Sequence, residues 1–378
     1  MKMTSALLIF FGSLLVSAGV QATDGVTPGR IVIGQSITLQ GGKNDYGTAV
    51  QAGVQTYITG VNERGGVNGR QIVLKTLDDD NKAAVAESNT RQLVEQDKVF
   101  ILFGSIEGGP STAVMKVANQ LSVPFFGPMA GSPTLRRPLQ PLVFPVRAEH
   151  RDEFRALMAQ AKNLGMTRVG FLRSDSEVGG QHLANVKSLC LELGVELTAD
   201  LPFGSTANEA QIDALVQRME TSGTQMVFNH GSSGVYETFI RKARSTGSRA
   251  VFYGVNSGST QLVKHLGDLA RGMVFTQVVP SPWERKTAIT REYQDVFAHA
   301  RPGEEFSYGS LEGYITAKAL VMALKLAGPN PSREGFQKAL EGAKLNLNGL
   351  RVSYESDFHQ GLNFVDLSIV TRELKFRH

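Results

Sequence analysis

Short runs of apolar, mostly β-branched or aromatic residues recur along the chain, and segments with helical periodicity separate them. The runs occupy residues 31–33, 72–74, 99–103, 123–126, 169–172, 195–197, 225–228, 250–253 and 273–276. Successive runs start roughly 30 residues apart, the length of a strand, a helix and the return to the next strand. Runs without polar alternation are typical of parallel strands that are buried on both faces. The pattern therefore predicts an α/β protein.

Helical stripes fill the intervals between the apolar runs. Val50, Val54, Ile58 and Val61 form one such stripe, and a helix-rich stretch follows Pro280. That stretch predicts helices at 289–300, 311–327 and 332–340, followed by strands at 350–354 and 364–370. About nine strand-helix units suffice for two doubly wound sheets of four to six strands each. In such sheets ligands bind beyond the carboxyl ends of the strands, so we expect function in those loops.

Composition narrows the class of protein. The 378 residues exceed the usual size of one core and indicate two domains. A net charge of +4 is too small for nucleic-acid binding through phosphate neutralisation. The single cysteine excludes an intramolecular disulfide, and the seven histidines show no structural-zinc or zincin spacing. We therefore expect neither a metal nor a cofactor.

The first 22 residues have the pattern of a secretory signal peptide. Lys2 precedes an apolar run at 6–16, and Val20-Gln21-Ala22 places small residues where a signal peptidase cleaves. The alternative is an N-terminal membrane anchor, but 11 apolar residues fall short of the ~20 that span a bilayer. We expect cleavage after Ala22 and a periplasmic location.

The strand-exit loops favour binding over catalysis. The sequence contains no G-x-G-x-x-G after a strand, no P-loop and no G-x-S-x-G elbow. The exits at 104–111, 127–132, 229–234 and 254–259 are instead rich in glycine, serine and asparagine. Glycine permits close backbone approach to a ligand, and amides at a helix N-terminus attract anions. The loop that ends at Ser111 and Thr112 is a candidate carboxylate cradle, or else a capped turn without a ligand.

Several weak motifs together resemble one family. They are Ile31-Val32-Ile33-Gly34, Asn62-x-x-Gly65-Gly66-x-x-Gly69, the Asp78-Asp79 strand exit, Val123-Pro124-Phe125, Ala243-Arg244-x-x-Gly247 and Leu311-Glu312-Gly313-Tyr314. In their order and spacing they resemble the leucine/isoleucine/valine-binding protein family, the type I periplasmic solute-binding proteins of ABC importers.

The resemblance implies two Rossmann-like lobes with a ligand cleft between them and three chain crossings. Lobe one would comprise 24–146 plus 278–350, and lobe two 147–277 plus 351–378. The resemblance also implies a monomer without enzymatic activity that delivers a small molecule to an ABC permease in the membrane.

The family's ligand positions carry over one at a time. Tyr46 matches an aromatic residue near the cleft. Gly108 and Gly131 stand where amino-acid binders have a serine and a threonine, and Val178 and Ser232 stand where they have tyrosines. Asn256 stands where they have the glutamate that pairs with the ligand's ammonium. The candidate ligand-binding residues are Tyr46, Glu107, Gly108, Gly109, Met129, Gly131, Val178, Ser232 and Asn256.

The absence of that glutamate affects whether the ligand is expected to carry an ammonium group. If nothing replaces its charge, acids without an amine should bind at least as well as leucine, because an unpaired buried ammonium is unfavourable. Glu107, Asp175 or Glu177 could supply a replacement carboxylate, although Asp175 and Glu177 could instead lie in a solvated loop. His150 and His230 could hydrogen-bond a ligand or be structural, and Arg147 could face the cleft or form a hinge salt bridge.

The sequence thus predicts an exported solute-binding protein that captures a small carboxylate-bearing metabolite: an amino acid, an amide, or an organic or aromatic acid. A ligand-sensing module of the same fold is the alternative. A hydrolase on this scaffold is a third possibility, for which the sequence offers no nucleophile-base pair.

Overall fold

The computed structural model describes residues 24–39, 45–204 and 207–378. The predicted signal peptide, residues 1–22, lies outside the described residues. One parallel sheet and one mostly parallel sheet, both flanked by helices, form the core of the molecule, so the predicted α/β class is confirmed. Within the described part of the chain, no helix combines the length and apolar character needed to cross a membrane.

Five parallel strands form the first sheet, in the order β2-β1-β3-β4-β5. They are β1 (Arg30–Ile37), β2 (Gln71–Asp78), β3 (Ile101–Phe103), β4 (Phe125–Phe126) and β5 (Val143–Phe144). Ile33, in the centre of β1, lies opposite Leu74 on one side and Ile101 on the other. The sequence pattern did not predict β5, because two residues are too few to produce a periodic signal.

Helices from both ends of the chain cover the first sheet. They are α1 (Asp45–Glu63), α2 (Ala83–Arg91), α3 (Gly108–Gln120), α9 (Ala288–Ala300), α10 (Tyr308–Leu326) and α11 (Arg333–Leu340). A small antiparallel hairpin of β11 (Lys344–Leu347) and β12 (Leu350–Ser353) follows α11. The predicted helices after Pro280 agree with α9, α10 and α11 to within a few residues.

The second sheet has the order β14-β13-β10-β9-β8-β6-β7. Its strands are β6 (Arg168–Ser174), β7 (Glu196–Phe203), β8 (Met226–His230), β9 (Val251–Gly254), β10 (Val274–Gln277), β13 (Asp366–Val370) and β14 (Phe376–Arg377). Strands β6 to β10 are parallel, whereas β13 pairs antiparallel with β10 and β14 with β13. The sheet exceeds the expected six strands because the C-terminal tail adds these two at its edge.

Five helices flank the second sheet. They are α4 (His150–Asn163), α5 (Glu177–Leu193), α6 (Glu209–Thr221), α7 (Ser233–Ser245) and α8 (Ser259–Leu266). In four of them, two to five residues separate the helix from the preceding strand of this sheet, so their N-termini lie beside the carboxyl ends of the strands. This placement puts helix amides and strand-exit side chains together at one edge.

The chain passes between the two sheets three times. The passages lie between β5 and α4, between β10 and α9, and between Leu362 and β13. Val352, Tyr354 and Leu362 belong to the hydrophobic core that contains β1 and α10. The predicted boundary between residues 350 and 351 falls inside the β11–β12 hairpin, so we propose that lobe one extends to Leu362.

Glycines let α1 and α10 pack at close range in lobe one. A Cβ atom on Gly53 would lie 1.8 Å from the Ser310 carbonyl oxygen, and one on Gly313 would lie 2.1 Å from that of Val50. Neither distance is compatible with a side chain, so the backbones can approach only because glycine occupies both positions. This contact fixes the start of α1 against the start of α10, where Tyr46 and Glu312 lie.

Asp79 has a different role from the one its sequence context suggests. An acidic run before a helix is typical of N-capping, yet the N-cap of α2 is Lys82 without a side-chain hydrogen bond. The buried Asp79 carboxylate instead accepts hydrogen bonds from Thr38 Oγ1 at 2.6 Å and Ser36 Oγ at 3.1 Å. It therefore ties β2 to the end of β1.

Candidate functional site

The strand-exit loops of the two lobes meet face to face. A Cβ atom on Gly108, at the start of α3, would lie 2.9 Å from Val178 Cγ1 at the start of α5. One on Gly131 would lie 2.6 Å from the backbone nitrogen of His150, which already donates to the Gly131 carbonyl at 3.0 Å. Three of the predicted ligand-binding residues thus lie at the contact between the lobes.

A buried network of charged groups lies beside this contact. Its centre is Arg147, which follows β5 at the first crossing and is 1% exposed. The Arg147 guanidinium pairs with Glu153 of α4 and, at 3.6 Å, with Glu312 of α10. It also donates to Ser257 Oγ at 3.1 Å. One guanidinium therefore serves two carboxylates that come from different lobes.

Glu153 is the more fully bonded of the two carboxylates. Besides Arg147, its oxygens accept from the Asn256 backbone at 2.9 Å and from Thr276 Oγ1 at 2.8 Å, and His150 Nδ1 lies at 2.8 Å. Burial alone would raise the pKa of Glu153, but Arg147, His150 and these hydrogen bonds lower it to about 2. Glu153 is therefore ionised at neutral pH and holds Arg147 in place.

Glu312 is held less completely. Its Oε2 accepts from Tyr46 OH at 2.6 Å and from Asn256 Nδ2 at 2.7 Å, whereas its Oε1 has no hydrogen-bond donor among the described residues. Burial raises the pKa of Glu312, and the longer ion pair with Arg147 offsets only part of that effect. Among the described residues, no cation other than Arg147 lies within 4 Å of this carboxylate.

The network also shifts the pKa values of Arg147 and Tyr46. Burial would lower the pKa of Arg147, but the charges of Glu312 and Glu153 raise it above its ordinary value. Burial and the neighbouring Glu312 raise the pKa of Tyr46 well above its ordinary value, so its hydroxyl stays a hydrogen-bond donor. Of the two predicted site residues in the network, Tyr46 comes from lobe one and Asn256 from lobe two. Glu312 joins them.

The predicted carboxylate cradle needs a correction. Helix α3 begins at Gly108, before the Ser111 and Thr112 that were expected to precede it. The Ser111 hydroxyl bonds to Ser105 at 2.6 Å, and the Thr112 hydroxyl bonds to Thr134 at 2.7 Å. Both hydroxyls are thus used within lobe one. The groups that a ligand anion could reach are the first amides of α3, at Gly108 and Gly109, since these have no partner within the helix.

The remaining predicted site residues lie in varied settings. Met129 is 1% exposed, and its methyl group packs against Gly104 within lobe one. Glu107 is partly buried and adopts a φ of 62° just before α3. Ser232 caps α7 by accepting from the Val235 amide at 3.3 Å. It also lines a surface groove of about 740 Å³ between α6 and α7. No described contact joins these three to the Arg147 network.

The candidate replacement carboxylates in the second lobe are solvated. The Asp175 side chain is 73% exposed and that of Glu177 is 67% exposed. Glu177 lies 3.7 Å from Lys116 of α3 and forms an exposed ion pair across the rim of the cleft. Exposed pairs of this kind contribute little to stability.

Sequence reasoning missed Glu153 and Glu312, and it left the role of Arg147 open. Glu153 lies in the first turn of α4, where an acid has an ordinary role in complementing the helix dipole. Glu312 carried a detectable signal, because it is a charged residue in a helix whose neighbours are almost all apolar and buried. The missing information was spatial: α4, α10 and the first crossing come together only in the fold.

Three buried histidines cluster at the network, and one of them, His150, belongs to it through its contact with Glu153. His150, His182 and His230 are buried, and burial lowers the pKa of each below its ordinary value, most strongly for His182 and His230. They are separated by 32 and 48 residues in the sequence, so no spacing motif could have grouped them.

Comparisons with known proteins show which family has this architecture. A periplasmic binding protein family model matches residues 30–366. The Leu/Ile/Val-binding protein BraC3 of Rhizobium johnstonii is 25% identical over 319 residues, 83% of this chain and 84% of that protein. Leu/Ile/Val-binding protein homolog 3 of Brucella melitensis is 25% identical over 339 residues, 88% of this chain and 89% of its own length.

Solved structures agree with the fold. A substrate-binding periplasmic protein from Ralstonia solanacearum has a TM-score of 0.83 at 25% identity and covers 92% of this chain and 99% of its own. A solute-binding protein of an ABC transporter from R. palustris, solved in complex with benzoate, has a TM-score of 0.79 at 16% identity, with 92% and 95% covered. The chain has the type I periplasmic binding protein fold, and it belongs to the family of the leucine/isoleucine/valine-binding proteins.

Proposed function

We propose that this protein is the solute-binding component of an ABC importer and captures a small carboxylate-bearing metabolite between its lobes. The observation that carries the proposal is the buried Tyr46–Glu312–Asn256 cluster, which joins lobe one to lobe two where the strand-exit loops meet. A polar cluster shared by two lobes gives a ligand contacts that form only when the lobes close. Such contacts favour the closed state to the extent that the ligand binds it more tightly than the open state.

The geometry favours a ligand that carries both a carboxylate and an amine. The first amides of α3 offer an anion site at Gly108 and Gly109. Glu312 offers a carboxylate oxygen, Oε1, without a hydrogen-bond donor among the described residues. A ligand ammonium at Glu312 would supply that donor and a second positive charge for a site with two carboxylates and one guanidinium. The proposed ligand class is therefore amino acids and close analogues.

This proposal changes the expectation drawn from Asn256. Position 256 lacks the carboxylate of the amino-acid binders, but the Asn256 amide donates to the Glu312 carboxylate at 2.7 Å. The negative charge is thus supplied from the opposite lobe instead of being lost. Acids without an amine should accordingly bind more weakly than their amino counterparts.

A thermal-shift screen tests the proposal. Amino acids, amides, keto acids and aromatic acids are added to the purified protein, and hits are then titrated by calorimetry. A ligand at 100 times its dissociation constant stabilises the folded state by about 2.7 kcal/mol, which a melting curve resolves. We expect at least one amino acid among the hits. If stabilisation is confined to acids without an amine, the assignment of Glu312 fails, and if no compound stabilises the protein, the binding function itself fails.

The substitution Glu312→Gln tests the role of Glu312 in ligand binding with little change to the packing of the fold. The amide keeps the shape of the side chain and an acceptor for Tyr46, but it removes the charge. We expect calorimetry to show at least tenfold weaker binding of an amino-acid ligand, since loss of the charge on a buried hydrogen-bonded ion pair has a large effect on affinity. Glu355→Gln, at an exposed position, is the matched control.

A further inference from the structure

Three histidines of lobe two converge at one buried point beside the lobe contact. His150 begins α4, His182 lies in the second turn of α5, and His230 ends β8. The ring centroids of His182 and His230 are 3.8 Å apart, and that of His150 lies 5.3 Å and 5.2 Å from them. A ring nitrogen from each residue lies within 4.8 Å of the other two. Three separate elements thus direct imidazole nitrogens to a common centre.

These nitrogens lack the partners that buried polar atoms normally have. His182 is fully buried, yet no described residue forms a hydrogen bond with either of its ring nitrogens. The same is true of Nδ1 of His230. No hydrogen bond joins any two of the three rings within the described part of the chain. Buried polar atoms without partners are uncommon in folded proteins, so this cluster requires an explanation.

His150 bonds through one ring nitrogen to a carboxylate, as metal-ligating histidines typically do with the nitrogen that does not bind the metal. Its Nδ1 bonds to Oε1 of Glu153 at 2.8 Å, which orients the ring and leaves Nε2 for the centre. A carboxylate on the remote nitrogen of a ligating histidine fixes the ring's tautomer and raises its basicity. Glu153 is itself held by Arg147, Asn256 and Thr276, so the carboxylate is fixed before any ion binds.

We propose that His150, His182 and His230 bind one divalent transition-metal ion of the zinc class in lobe two. Imidazole ligands favour Zn²⁺, Ni²⁺ and Cu²⁺ over Mg²⁺ and Ca²⁺, which prefer oxygen. Tetrahedral zinc with bonds of about 2.05 Å separates its ligand nitrogens by about 3.3 Å. The ligand nitrogens, which lie within 4.8 Å of one another, would therefore need to approach by at most about 1.5 Å on binding.

The site lies where it can affect lobe closure. The His150 ring is in contact with Gly131 of lobe one, since a Cβ atom there would lie 2.7 Å from Cγ of His150. Val178, which precedes His182 by one helical turn, meets Gly108. Three protein ligands leave a fourth position on the ion for water or another small ligand.

The test uses the tag-free protein, since an affinity tag would itself bind metal, after chelator treatment and dialysis. Calorimetric titration with ZnSO₄ should show one ion per chain. His182→Asn and His230→Asn should each weaken Zn²⁺ binding by more than about tenfold, the lower bound for disruption of even an outer-sphere group. His299→Ala removes an exposed histidine on α9 and should leave the affinity unchanged. Circular dichroism checks that each variant is folded.

A Co²⁺ titration of the unmutated protein keeps the proposal testable if the variants do not fold. Co²⁺ with three imidazole ligands in a four-coordinate site absorbs intensely in the visible range, whereas Co²⁺ bound at the surface is six-coordinate and absorbs weakly. The proposal is overturned if the protein binds no Zn²⁺ or if folded His182→Asn binds it as tightly as the unmutated protein. A weak six-coordinate Co²⁺ spectrum would also overturn it.

Discussion

At the residue scale, the central feature is one buried guanidinium shared between two carboxylates of unequal bonding. Glu153 has a full set of donors and a lowered pKa, whereas Glu312 has an oxygen without a described donor and a raised pKa. A buried ion pair is weak evidence for stability, because desolvation offsets much of the attraction. The unequal bonding therefore indicates a binding role more directly than a stabilising one.

The raised pKa of Glu312 predicts a specific pH dependence. The folded protein binds this proton more tightly than the unfolded chain, so Glu312 reduces stability as the pH rises from its ordinary value of 4.5 through its folded pKa. Relative to Glu312→Gln, the unmutated protein should lose free energy of unfolding across that window, by at most about 1.4 kcal/mol per pH unit. Urea unfolding at several pH values measures this difference. A difference that is constant with pH would contradict it.

Removal of the shared Arg147 guanidinium should lower the free energy of unfolding far more than the titration of Glu312 does. Arg147→Met leaves two buried carboxylates without their common partner, which should cost about 3–5 kcal/mol in the free energy of unfolding. The control is Arg285→Gln, because the Arg285–Asp295 pair has side chains 51% and 64% exposed and should contribute little to stability. Equal effects of the two substitutions in denaturant titrations would show that the Arg147 network is not buried as described.

At the element scale, the packing of α1 on α10 positions Tyr46 and Glu312. Gly313→Ala would place a methyl group against the Val50 carbonyl, and overpacking of this kind typically costs about 1–3 kcal/mol. Gly180→Ala in α5 is the matched control, since nothing lies within 4 Å of a Cβ atom there. The control should gain up to about 1 kcal/mol from helix propensity. Thermal unfolding distinguishes the two, and a neutral Gly313→Ala would mean that the helices can separate freely.

Much of the element-scale fold was predictable from the sequence, and most of the site was not. Apolar runs located nine strands because most of these strands are buried on both faces, which has a local signature. The edge strands β2 and β7 are only partly buried, yet each also contains a short apolar run. The two-residue β5 and the antiparallel β14 have none. Tyr46, Gly108, Gly131, Val178 and Asn256 lie at the lobe contact, and their role in ligand binding stays a prediction. Glu153 and Glu312 were missed because their proximity depends on contacts between distant segments.

At the scale of the whole molecule, the two lobes meet at Gly108 and Gly131, where an added Cβ atom would lie less than 3.0 Å from the opposite lobe. Gly131→Val would collide with the backbone of His150 and should hold the lobes apart. We expect a larger radius of gyration in small-angle X-ray scattering and at least tenfold weaker ligand binding, because the closed state would be depleted. Gly29→Ala is the control, since Gly29 is exposed, far from the lobe contact, and a Cβ atom there has no neighbour within 4 Å. Unchanged scattering and affinity for Gly131→Val would show that binding does not require this contact.

A crystal structure of the protein with the best ligand from the screen tests the central claim most directly. The account predicts ligand density between the lobes, with an amine at Glu312 and a carboxylate at the first amides of α3. Density in the groove between α6 and α7, or density between the lobes without contact to Glu312, would contradict it.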